Sequence, residues 1–93
     1  MSPEKPSIDQ LWLRIKRYAG EEFRTKTGKV FTYEVSGNVF HSSRTDYNIS
    51  KTQFEKALAL VPFDGPGIIN YIVRGPAYVW AVLHDRRIRE QDW

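Results

Sequence analysis

The chain contains no cysteine. That absence excludes disulfides, thiolate metal sites and cysteine nucleophiles together, and it fits a reducing compartment. No apolar run approaches the roughly 20 residues of a membrane span. The opening Met1-Ser2-Pro3-Glu4-Lys5-Pro6 has no apolar signal-peptide core. The expectation is a cytoplasmic protein with no membrane partner. No glycine loop carries the Lys-Ser/Thr that completes a phosphate-cradling P-loop, since Gly65-Pro66-Gly67 runs on into Ile68. Histidine is scarce: His41 and His84 are the only two. Neither has partners at ligand spacing, and a zinc site needs three or four convergent ligands. No metal and no cofactor are therefore expected.

Catalytic groupings are equally thin. His41, Ser42, Ser43 and Asp46 supply the residue types of a triad, but triads are defined by geometry, and nearness within one polar loop is no substitute. Glu21, Glu22 and Glu34 lack a second acidic position on a recognisable strand, so they do not make a metal-nuclease pair. No reaction is specified, and a non-enzymatic module is expected.

What is present suits one small domain. Of 93 residues, 41% are hydrophobic and 14% aromatic, enough for a core, while 27% are charged. Two prolines make residues 1–6 a frayed tail, leaving 7–93 as the domain. A first helix is predicted over 8–19: Ser7 and Gln10 form a capping box, Ile8, Leu11, Trp12, Ile15, Tyr18 and Ala19 make an apolar stripe, and Gly20 is its C-cap. Phe31, Tyr33 and Val35 alternate with Thr32 and Glu34, so 29–42 reads as a β-hairpin turning at Gly37-Asn38. A second helix is predicted over 51–61, with Ser50 and Gln53 as capping box, Ile49 and Phe54 as hydrophobic staple, and Pro62 as stop.

Residues 68–73 fit either a strand, from their β-branched density, or a short helix after Pro66. Pro76 favours a helix over 76–84, with a strand over 78–83 as the competitor. The apolar run Ala77–Leu83 is the expected central core element, followed by a charged tail. Two or three helices against a small antiparallel hairpin or sheet make an α+β domain. Trp12, Phe31, Phe54 and Trp80 fall at core-facing spacings, whereas Tyr33, Tyr47 and Trp93 are candidates for exposure.

Basic side chains gather in two stretches. Arg14 and Arg17 lie on one helix face, and Arg24, Lys26 and Lys29 follow on the loop to the hairpin. Arg86, Arg87 and Arg89 close the chain. Local clusters of this kind can track a phosphate backbone. If 66–85 are two helices around Arg74-Gly75-Pro76, the stretch resembles a helix-turn-helix, and with the hairpin it resembles small winged-helix-type domains. That resemblance implies DNA binding and, in some members, protein binding. Tyr71 stands where that family uses a small residue, and the hairpin precedes both helices where a wing usually follows. The outward positions Ala77, Tyr78, Ala81 and His84 offer few donors to base edges. Contact with the phosphates of DNA or RNA through Arg14, Arg17, Arg24, Lys26, Lys29, Arg86, Arg87 and Arg89 is the leading expectation. The alternative is a protein-interaction or regulatory domain, including a homodimer, using Leu13, Phe63, Tyr78 and Trp93.

Overall fold

A computed structural model describes residues 5–93; residues 1–4, most of the expected tail, lie outside that range. Pro6 is buried, and Lys5 Nζ donates to the Ala59 carbonyl at 3.3 Å. The described residues fold as α+β, with four α-helices and two small antiparallel sheets around one hydrophobic core. No helix among the described residues is long and apolar enough to cross a membrane.

Helix α1 (Ile8–Arg17) starts as its capping box requires: Gln10 N–H donates to Ser7 Oγ, and Ser7 N–H donates to Gln10 Oε1. It buries Leu11, Trp12 and Ile15. It ends two residues earlier than predicted, with Tyr18 as C-cap. The reason is tertiary. The Tyr33 hydroxyl donates to the Ile15 carbonyl at 2.6 Å, and Gly20, at φ +90°, donates its N–H to the Tyr33 carbonyl at 2.9 Å. The sheet takes groups that another helical turn would have used.

The predicted hairpin is β3 (Tyr33–Ser36) with β4 (Val39–Ser42), paired Tyr33↔Ser42 through Ser36↔Val39 and turning at Gly37-Asn38. Three further strands flank it. Of the expected loop before it, Lys26 and Lys29 do lie in a loop, but Arg24 is in a strand: β1 (Phe23–Arg24) pairs with β2 (Val30–Phe31), the start of the predicted hairpin. A third strand, β5 (Ile49–Ser50), pairs with β4. Thr32 separates the two sheets and exchanges bonds with Ser43, whose Oγ accepts its N–H at 3.0 Å. Tyr33 is fully buried, against its expected exposure, and stacks on Phe40.

Helix α2 (Lys51–Leu58) buries Phe54, Ala57 and Leu58 and stops before the predicted Val61. Its last residues tighten into i→i+3 bonds, Leu60 N–H to Ala57 O and Val61 N–H to Leu58 O, ahead of Pro62. Its capping box does not form. Ser50 makes no side-chain cap, and Gln53 Oε1 instead accepts the Arg74 N–H at 2.7 Å, holding the loop before the next helix.

Residues 68–73 are not a strand, and the short helix after Pro66 forms only in part. Pro66–Ile69 is a 3-10 turn, followed by further turns, with Ile69 and Val73 inward and Ile68, Tyr71 and Ile72 outward. Helix α3 (Pro76–Leu83) confirms the reading of Pro76 as a helix start, and every one of its residues is buried or half-buried. The expected charged tail is a helical turn, α4 (Arg86–Arg89), which Asp85 caps by accepting the Arg87 N–H and which buries Ile88 completely.

Candidate functional site

The two basic stretches meet at one cleft. It holds about 520 Å³ and lies between the β1 region and the helices α3 and α4. Arg24 and Lys26 reach it from one side, Arg86 and Arg87 from the other, and Trp80 and His84 line it between them. Glu22 and Asp85 are its carboxylates.

Local structure sets each of these side chains. Arg24 stands on the outward side of β1, because its neighbour Phe23 is buried. Lys26 follows in a loop closed by Thr25, whose N–H donates to the Lys29 carbonyl and whose Oγ1 accepts the Lys29 N–H. Arg86 and Arg87 project from α4. Arg87 is held in place through Nε and Nη2: its guanidinium pairs with Asp85, donates to the Glu22 carbonyl at 2.8 Å and lies 3.9 Å from the centre of the Phe23 ring. The Asp85 hydrogen bond pushes its pKa up, so it stays cationic. Arg86 is exposed and makes no ion pair or side-chain hydrogen bond among the described residues.

Trp80 and His84 are one turn apart on α3 and its C-cap, so they share a face. Their rings are parallel within 17°, with centroids 5.2 Å apart. Trp80 Nε1–H donates to the Phe63 carbonyl at 3.0 Å. His84 Nε2 accepts the Phe63 N–H at 3.2 Å, which leaves Nδ1–H to donate to the Trp80 carbonyl at 3.0 Å. Both imidazole nitrogens are thus used by the neutral ring. Burial pushes the His84 pKa down; the Trp80 carbonyl opposes that shift and the Arg89 charge adds to it.

The other expected contact residues lie elsewhere. Arg14 is turned inward between α1 and α4, pairing with Glu90 at 2.8 Å and Asp92 at 2.6 Å and donating to the Ile88 carbonyl. Arg89 donates to the Trp93 carbonyl. Arg17 and Lys29 are exposed but do not line the cleft. Trp80 was legible as core and not as a cleft wall; an aromatic within an apolar helix carries no sequence mark of a partly open face. His41 Nδ1 meets Asn48 Oδ1 at 2.8 Å, and Ser42 and Ser43 accept backbone N–H groups. Among the described residues no group of three or more potential metal ligands forms.

Of the apolar interface candidates, Leu13 is exposed, whereas Phe63, Tyr78 and Trp93 pack against the core. Trp93 Nε1–H donates to the Leu83 carbonyl at 2.8 Å. Among the described residues the other exposed large apolar side chains are Leu60, Ile68, Tyr71 and Ile72, with Tyr71 97% accessible. No family model, curated protein or solved structure matches the chain.

Proposed function

We propose that this protein is a non-enzymatic nucleic-acid-binding module that contacts phosphates along the cleft between β1 and α4. The observation that carries the reading is the convergence of Arg24, Lys26, Arg86 and Arg87 on one concavity. Cations so placed can follow consecutive phosphates, and their guanidinium and ammonium groups favour anions over any neutral ligand. Arg17 and Lys29 extend the positive surface beyond the cleft. Arg14 contributes through the fold and not by contact. The reading stands on the cleft and makes no use of a winged-helix likeness.

The test is an anisotropy titration against short labelled DNA and RNA, single- and double-stranded, at low and moderate salt. Micromolar affinity that falls steeply with salt is the expected result. Absence of binding at low salt overturns the proposal. A second reading, a protein-interaction surface, is favoured by exposed Ile68, Tyr71 and Ile72. Mass that rises with concentration in light scattering, without salt-sensitive nucleic-acid binding, would support it.

A further inference from the structure

We infer that the cleft selects single-stranded nucleic acid, seating one unpaired base on the Trp80 indole in place of the Lys26 ammonium. The inference rests on the nucleic-acid reading above and adds the strand type and the stacking residue.

Three observations support it. The indole is held before any ligand arrives: its edge is bonded to the Phe63 carbonyl and one face is covered by the parallel His84 ring, itself pinned at both nitrogens. A ring fixed in this way loses little freedom when something stacks on it. The cleft of about 520 Å³ lies in the size range of small-ligand pockets, and its cations are placed to meet the phosphates flanking a base. In a duplex both faces of each base are already stacked, so only an unpaired base has a face to offer.

The third observation is the strap. Lys26 Nζ donates to the Asp64 carbonyl at 2.7 Å and lies 6.0 Å from the centre of the Trp80 ring. It crosses the chain at Gly65, where a Cβ would come within 2.7 Å of the ammonium. The free protein therefore fills its own stacking site with a cation. The cation–π contact is weak at an exposed site, stacking by a base outweighs it, and a phosphate oxygen replaces the Asp64 carbonyl as the ammonium's acceptor. The released ammonium is then free to pair with a phosphate.

The experiment compares three labelled ligands of equal length on the intact protein: an oligothymidylate, its abasic counterpart and a duplex. The abasic strand keeps every phosphate and removes every base. The intact single strand is expected to bind at least about fivefold tighter than the abasic one and tighter than the duplex. Equal, salt-sensitive binding of intact and abasic strands overturns the stacking inference and leaves the phosphate reading standing. No binding of any ligand at low salt overturns both. A second variant checks the strap. Gly65 has φ −174°, extended backbone that alanine adopts without strain. Gly65→Ala should displace only the flexible end of Lys26 and tighten the intact strand by about twofold more than the abasic strand. An unchanged ratio between the two strands in that variant overturns the strap.

Discussion

A guanidinium with three acceptors is worth more to a fold than its charge alone indicates. Arg14 ties α1 to the last residues of the chain through Glu90, Asp92 and the Ile88 carbonyl. Arg14→Ala would leave those acceptors unpaired in a partly buried place. The expected cost is about 1–2 kcal/mol, seen as a fall of roughly 5–10 °C in Tm by calorimetry. His84 makes a pH prediction. Its folded-state pKa lies below the ordinary 6.5, so the unfolded chain binds the proton first as the pH falls. Its contribution is complete above about pH 6.5 and is lost progressively as the pH drops toward the folded value. His84→Gln does not titrate, so the stability gap between wild type and variant should narrow between about pH 7 and pH 5 in denaturant titrations. Tyr33 works in the opposite direction. Burial pushes its pKa above the ordinary 10.0, so its contribution is present below about pH 10 and is lost at higher pH. Tyr33→Phe removes the bond to the Ile15 carbonyl, should cost about 1 kcal/mol at neutral pH, and should flatten the alkaline loss.

Among the elements, α3 depends on one residue outside it. Gly75 sits at φ +61°, ψ +51°, and a Cβ there would lie 2.7 Å from Ile49 Cδ1. Gly75→Ala therefore combines left-handed strain of about 1–2 kcal/mol with overpacking of similar size. A loss of at least about 2 kcal/mol in chemical denaturation is expected. The elements legible in the sequence were those with several agreeing signals. Helix α1 had a capping box and a long stripe; the β3–β4 hairpin had alternation and a glycine turn. Strands β1 and β5 span two residues each, too short for a period-two pattern to be read. Helix α4 is a single turn whose cap, Asp85, was hidden beside a run of arginines. At α2 a valid local motif lost to a distant backbone N–H, because Gln53 caps Arg74 and not its own helix. Local signals mark where an element begins; packing decides where it ends.

At the scale of the molecule, the sequence showed two basic stretches far apart in number and could not say whether they share a face. That depended on β1 folding back beside α3, a pairing set by buried Phe23 and Phe31. The fold unites Arg24 and Lys26 with Arg86 and Arg87 and diverts Arg14. Neutralising Arg24 and Arg86 together should weaken binding about equally for all sequences and reduce the salt slope by roughly 2. Arg17→Ala, away from the cleft, should leave the slope unchanged. Among the described residues β1 has a strand partner on one side only; Arg24 is in that strand and Lys26 follows it. Cations beside an unpaired strand also deter a second copy from adding itself there. The same side chains thus govern solubility, and a neutralised variant has to be checked for self-association before its lost affinity is read as a lost contact.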